Sequence, residues 1–290
     1  IEDSNAVLIF VLCIYIPLDI VIIAGNTFVL VVIRRTPSLH NIQFELLACL
    51  AFVDLLSGIV GVPLSIWGNI TRQSLYLVVE DCELQYIPGK ILFATSFWHL
   101  LMITVDRYIA VMKPLIYPKL VTRNRIRKCV AVSWVCGTLF GLLYLIPKIE
   151  RREEKYFCFK TSKMLGSIAL LLAVLLGTAM MVFMYVCIFK EAKKQQRKIV
   201  KASANKAEFR RKFKGAKTAF IVVAFFLMYY IPHVIRILLG KIVEHENLFW
   251  MEWLAEICTT SSLAINPIIY VCRYKCFARC FRKIFRFQFV

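Results

Sequence analysis

The sequence predicts an all-α membrane protein: a seven-transmembrane helix bundle followed by a short amphipathic helix on the membrane surface. Three observations carry this expectation. Of 290 residues, 60% are hydrophobic and 13% aromatic, and the mean hydropathy is +0.69, more apolar than a soluble domain of this length. The apolar residues gather into seven runs, each close to the roughly 20 residues that cross a bilayer. Lysine and arginine concentrate in alternate connections between the runs, the asymmetry that orients membrane proteins.

The runs are 7–33, 44–68, 84–112, 129–147, 164–189, 216–239 and 250–272, with the surface helix at 274–286. They leave little but connections, so residues 1–290 read as one membrane domain without a soluble domain, repeat or low-complexity segment. The chain opens on Ile1 rather than Met, and its first run reads as a full span rather than a signal peptide, so its start reads as trimmed.

The net charge of +19 would suit nucleic acid if it were evenly spread. It is not. Segments 34–43, 113–128, 190–217 and 273–290 hold 26 Lys/Arg against two acids, Glu191 and Glu208. Segments 1–6, 68–83, 148–163 and 240–252 hold 8 Lys/Arg against 11 acids. Short basic loops stay in the cytoplasm. This predicts a multi-pass plasma-membrane protein with its amino terminus outside and its carboxyl terminus inside. The basic segments then face anionic lipid and an intracellular partner, not nucleic acid.

Each run carries a landmark. The first holds Asn26 at mid-membrane, where an amide bonds a neighbouring helix. The second holds Asp54, an ionisable group at membrane depth and by default a functional one. Pro63 and Pro147 fall toward outer helix ends, where a kink or a stop is expected. Asn69-Ile70-Thr71 is an N-glycosylation sequon. The third run begins at Cys82 and closes on Asp106-Arg107-Tyr108. The fourth contains Trp134, and the fifth ends with Tyr185. The sixth holds Tyr229-Tyr230-Ile231-Pro232, where Pro232 removes a backbone donor and kinks the helix. The seventh ends in Asn266-Pro267-Ile268-Ile269-Tyr270. Beyond it Phe277, Phe281 and Phe285 recur at helical spacing beside Cys276, Cys280 and Ile284. Arg279, Arg282, Lys283 and Arg286 remain for the headgroups, the pattern of a basic helix lying on the inner face. Cys276 and Cys280 are candidates for palmitoylation; unmodified interfacial cysteines are the other reading.

These landmarks, in this order on these helices, resemble the rhodopsin-like G-protein-coupled receptors over nearly the whole chain. The resemblance implies a switch in Asp106-Arg107-Tyr108. Arg107 pairs with Asp106 at rest and is released in the active state to help receive the carboxyl-terminal helix of a heterotrimeric G protein. Tyr185 and Tyr270 match tyrosines that converge there, and Asn266-Pro267 supplies a polar hinge. Leu115 matches a hydrophobic residue that packs into the G protein; packing on the receptor itself is the alternative. Arrestin is a second implied partner. Cys82 and Cys158 match cysteines that form a disulfide at the outer face, where the compartment is oxidising. Asp54, Ser96 and Asn266 match positions that hold a sodium ion or line its pocket. All three supply oxygen, which a hard cation needs, and a purely structural network is the alternative. No other cofactor is implied.

Three departures stand out. Gly177 occupies a place where the family usually has proline, which leaves the shape of the fifth helix open. Tyr230 stands where tryptophan is common. Lys212 stands where many relatives have an acid that clamps the arginine. Lys212 would repel Arg107, which predicts a weak resting lock and high basal activity.

At the ligand end, Gly89 falls where amine receptors carry an ammonium-binding aspartate, which argues against a typical monoamine. Thr260 falls where light-sensing relatives carry the retinal lysine, so no Schiff base can form. The remaining candidates are Gln85, Tyr86, Lys90 and Phe93 on the third helix, Tyr230, His233, Arg236 and Ile237 on the sixth, and Glu256 with Thr260 on the seventh. Gly89 would leave room for a ligand group beside the backbone. A buried charge needs a partner: Lys90 and Glu256 either pair with each other or meet a ligand's carboxylate and amine. A small polar ligand fits this compact set. A short peptide fits the acidic outer rim of Glu80, Asp81, Glu83, Glu244, Glu246 and Glu252.

An enzyme finds no support, since no Ser/His/Asp arrangement, phosphate loop or metal spacing is present. A seven-helix transporter or channel would need a chain of ionisable groups across the membrane. Asp19, Asp54 and Lys90 make no evident relay.

Overall fold

The computed structural model describes residues 9, 11–74, 86–142, 163–201, 206–239 and 249–286. The expected Cys82–Cys158 disulfide and Gln85 lie outside the described residues, as do Pro147 and most of the acidic rim.

A π-helical turn, Val11–Tyr15, leads into α1 (Ile16–Arg35). Pro17 sits in the first turn of α1, where its missing N–H has no partner to lose. Arg34 and Arg35 close the helix against the negative end of its dipole. After a 3-10 turn at Pro37–Leu39, Asn41 caps α2 (Ile42–Leu56), its side-chain oxygen accepting from the backbone N–H of Phe44 at 3.4 Å.

The second span does not stop or bend sharply at Pro63. A π-helical segment, Ser57–Gly61, carries α2 into α3 (Val62–Ser74). The backbone N–H of Val62 reaches back five residues to Ser57 O, and Ser57 Oγ donates to Val53 O at 2.9 Å. Pro63 has no hydrogen to give and crowds the preceding turn. The wider turn absorbs that mismatch, and the helix continues past residue 68 to Ser74.

The third span is α4 (Ile87–Met112). A short helix, α5 (Tyr117–Leu120), lies in the connection to α6 (Arg123–Leu142). Then come α7 (Lys163–Lys201), α8 (Lys206–Leu239), α9 (Phe249–Arg273) and α10 (Lys275–Arg286). Both α7 and α8 outrun their apolar stretches by a dozen and ten residues at the basic end. Lys, Arg, Gln, Glu and Ala are strong helix formers, so the backbone ladder persists where the apolar signal stops.

Cys13–Arg35, Ile42–Gly68, Ile87–Met112, Leu172–Lys194 and Trp253–Arg273 have the length and composition to cross a membrane, and Ala216–Pro232 is a shorter apolar stretch within α8. With α6, whose first two turns carry Arg123, Arg125, Arg127 and Lys128, the described residues supply seven spans. The long helix α4 is the hub, packing on α2, α6, α7 and α8.

Small residues set how closely the helices approach. A Cβ added at Gly137 of α6 would fall 2.1 Å from Thr95 Oγ1, and one at Gly141 would fall 2.2 Å from Ile91 Cγ1. On α7 a Cβ at Gly177 would fall 2.5 Å from Phe97 Cζ. The departure from proline at 177 thus has a local cause: the Phe97 ring lies where any larger residue would be.

The amphipathic helix α10 does not give its whole apolar column to lipid. Phe277 is fully buried, with its ring near those of Phe44, Phe28 and Tyr270. Phe281 packs edge-on against Phe28 at 5.9 Å and is partly exposed. The start of α10 is therefore bolted to the bundle, and only its later face is open.

Candidate functional site

At the basic end of the bundle Asp106 and Arg107 are both buried. Arg107 Nε donates to Asp106 Oδ2 at 2.8 Å, and its Nη2 donates to the same oxygen. The other carboxylate oxygen accepts from the Tyr117 hydroxyl at 2.7 Å. Burial, then the Asp106 carboxylate, pushes the Tyr117 phenol up, so it remains a donor.

On its far side Arg107 Nη1 donates to Gln43 Oε1 at 2.8 Å. Gln43 Nε2 in turn donates to the Tyr274 hydroxyl oxygen at 2.7 Å. Burial pushes the Tyr274 phenol up as well. Tyr274 is the single residue between α9 and α10, and next to it Arg273 Nε donates to Thr218 Oγ1 of α8 at 3.4 Å. A buried ion pair is stabilising only when its remaining hydrogen-bonding capacity is used. Here Tyr117 and Gln43 use it.

The other residues expected around Arg107 are distributed differently. Tyr185 accepts from Thr104 Oγ1 at 3.5 Å and packs edge-on against Phe220. The Tyr270 hydroxyl is buried with no hydrogen-bond partner. Neither phenol bonds the guanidinium. Tyr108 packs against the core at half burial. Leu115 is 91% exposed, so it does not pack on its own chain. Lys212 lies in the first turns of α8.

Deeper in the bundle, Pro267 leaves the carbonyl of Leu263, four residues earlier, without its helical donor. Asn26 Nδ2 donates to that carbonyl at 3.3 Å and to Ile22 O at 2.9 Å. A Cβ on the adjacent Gly25 would stand 3.0 Å from Pro267 Cγ. Beside this joint Asp54 is fully buried. Its Oδ2 accepts from Asn266 Nδ2 at 2.8 Å and its Oδ1 from Ser96 Oγ at 3.3 Å. The three residues meet as expected, with oxygens from Asp54 and Ser96 and with Asn266 facing the carboxylate through its nitrogen.

Toward the other end, Phe93 of α4 stacks on Tyr230 at 5.2 Å and on Phe226 at 5.6 Å. Phe97 lies against Phe226 one turn deeper. Tyr230 is buried and fills the tryptophan's place as part of an aromatic pile. Gly89 faces the second span: a Cβ there would meet Ser65 Oγ at 3.7 Å and Gly61 O at 3.9 Å. Thr260 is buried, while Tyr86, Lys90 and Glu256 are half-buried. His233, Arg236 and Ile237 follow Pro232 on the last turns of α8, and Asn69 lies within α3.

The profile of the family "7 transmembrane receptor (rhodopsin family)" matches residues 25–270. The chain belongs to the rhodopsin-like G-protein-coupled receptors. It is similar to trace amine-associated receptor 9 of Mus musculus, at 29% identity over 272 residues, covering 87% of this chain and 78% of that one. Trace amine-associated receptors 7e and 1 of Mus musculus are 30% and 27% identical over 280 residues. Each match covers 88% of this chain, with 76% and 82% of those relatives. This is a family of multi-pass membrane receptors that act on heterotrimeric G proteins, not of enzymes.

In this receptor the sequence pointed to Asp106, Arg107, Asp54, Ser96 and Asn266, and the fold brings them together in two clusters. It missed Gln43, Tyr117, Tyr274, Phe97 and Phe226. The aromatic pair had a signal: Phe93/Phe97 and Phe226/Tyr230 are both spaced by four on helices that face each other. Gln43, Tyr117 and Tyr274 had none, because each lies at a helix end whose neighbours only the fold supplies.

Proposed function

We propose that the receptor takes a small polar molecule from outside the cell and answers it by releasing Arg107 to a heterotrimeric G protein at its basic, cytoplasmic face. The observation that carries this reading is the enclosed Asp106–Arg107 pair, a guanidinium buried beneath the most basic segments of the chain. Purified receptor in nanodiscs, with a panel of Gα subunits, is expected to accelerate nucleotide release when the ligand is added. Transport current without such release would favour a transporter instead.

The relatives are named for trace amines, which supports a small ligand over a peptide. Gly89 argues against a typical monoamine, so an anchoring charge must come from elsewhere. Lys90 and Glu256, on α4 and α9, are the candidates, beneath Tyr86, His233, Arg236, Ile237 and Thr260 and above the Phe93–Tyr230 stack. Glu256→Gln is expected to abolish activation while leaving folding intact. A ligand that protects neither the Lys90 nor the Glu256 region from labelling would overturn this site, and saturable binding of short peptides alone would favour the peptide reading.

The remaining assignments complete the proposal. A sodium ion would be held by the oxygens of Asp54 and Ser96, with Asn266 orienting the carboxylate. Cys82–Cys158 forms the outer disulfide, Asn69 is glycosylated, and Cys276 and Cys280, both half-buried on α10, take palmitate. Arrestin shares the cytoplasmic face, and the basic segments bind anionic lipid. Lacking an acid at 212, the receptor signals above background without ligand.

A further inference from the structure

We infer that Gln43 and Tyr274 are the resting-state clamp on Arg107, in the role that the missing acid on the sixth span would otherwise fill. The inference rests on the coupling reading above, in which Arg107 must be freed to engage the G protein.

The guanidinium presents two edges. One is occupied by Asp106, its own neighbour in sequence, which moves with α4 and therefore cannot tie α4 to anything else. The other edge is held by Gln43 Oε1 at 2.8 Å, and Gln43 is on α2. The orientation of the Gln43 amide follows from its partners. Its oxygen must face the guanidinium, which only donates, and its nitrogen then points at the Tyr274 oxygen 2.7 Å away. Tyr274 stands between α9 and α10. One amide therefore joins three parts of the bundle: α4 through Arg107, α2 through Gln43 itself, and the α9–α10 elbow through Tyr274.

The clamp is shielded. Leu46, Leu47, Ile103, Ala219 and Val222 line the cleft beside these groups, and Tyr274 packs edge-on against Phe44 at 5.1 Å. A hydrogen bond to a charged donor away from water is worth more than one on the surface. The eighth element, α8, joins at one remove, through Thr218 and Arg273 at 3.4 Å. Among the described residues no carboxylate other than Asp106 bonds Arg107. The polar clamp limits the basal signal that Lys212 alone would leave unchecked.

Gln43 is thus a positioning residue for coupling: it acts on the G protein only through Arg107. The test is ligand-free nucleotide release from Gα by receptor in nanodiscs, per mole of folded receptor. Gln43→Ala is expected to raise release about tenfold, the factor that follows from losing one hydrogen bond to a charged group. Gln43→Glu, which turns the bond into an ion pair, is expected to lower release below wild type. Tyr274→Phe is expected to raise it by less than Gln43→Ala. A purely structural role would move Ala and Glu variants in the same direction, and that result overturns the clamp. If Gln43→Ala does not fold, the opposite shifts of Gln43→Glu and Tyr274→Phe decide. Asp106→Asn serves as the reference for a freed Arg107. If it accelerates release and the Gln43 and Tyr274 variants do not, the clamp alone is wrong. If neither it nor wild type acts on any Gα, the coupling reading fails and the clamp falls with it.

Discussion

Asn26 Nδ2 lies 3.3 Å from the carbonyl oxygen of Leu263, the one group on α9 that Pro267 strips of its helical donor. The hinge in the seventh span is therefore closed by a side chain from the first. Asn26→Ala is expected to destabilise the receptor by about 1–2 kcal/mol, the range for one interhelical bond in a membrane. Adding Pro267→Ala, which restores the backbone N–H, is expected to recover part of the loss. Thermal unfolding of the two single variants and the double would read this coupling, and simple additivity would refute it.

Gly177 makes a second stability prediction. With Phe97 Cζ 2.5 Å from its virtual Cβ, Gly177→Ala should cost roughly 1–3 kcal/mol through overpacking. Phe97→Leu in the same chain should return most of it. A neutral Gly177→Ala variant would mean the ring simply turns aside.

The Asp54 cluster predicts an ion effect. Unfolding followed in sodium chloride and in choline chloride, at equal ionic strength, should show a higher melting temperature in sodium. A ligand at a hundredfold its Kd adds about 2.7 kcal/mol to the folded state. Asp54→Asn, which keeps the shape and removes the charge, should abolish the difference. Equal shifts in both proteins would leave the cluster purely structural.

Leu115 predicts a coupling defect without a binding defect. It stands 91% exposed beyond α4, free to enter an apolar pocket on a partner. Leu115→Asp should slow nucleotide release roughly tenfold, as loss of an interface anchor of more than about 1 kcal/mol would. Ligand affinity measured without G protein should not change.

The charge at 212 gives the last prediction. Lys212→Glu should lower ligand-free nucleotide release, because an acid there can draw α8 toward Arg107. Unchanged release would show that the resting state does not sense this position.

Much of this was readable in the chain. Asp54, Asp106, Arg107 and Asn266 are polar groups in apolar runs, and membrane depth makes such groups conspicuous. Their helical positions follow from counting, and the fold places Ser96 and Asn266 on Asp54 as the counting implied. What stayed hidden is of two kinds. Helix ends at 201 and 206 were invisible because hydrophobicity marks where lipid ends, not where hydrogen bonding ends. Partnerships such as Gln43 with Arg107 cross 64 positions of sequence, and a lone glutamine near a helix start looks like any solvated residue. Phe277 was misjudged toward lipid for the same reason: a periodic stripe tells which face is apolar but not what covers it.

The wide turn at Ser57–Gly61 has a practical consequence for anyone mapping the vestibule. One surplus residue in a helix rotates all that follows by about 100°. Aligning α3 onto a template whose second helix is unbroken would swing Ser65 from the side it shares with Gly89 to a different neighbour altogether. Cysteine-scanning, chimaera and docking designs for this receptor therefore need that angular offset written in before any contact beyond Val62 is inferred by counting from Asp54.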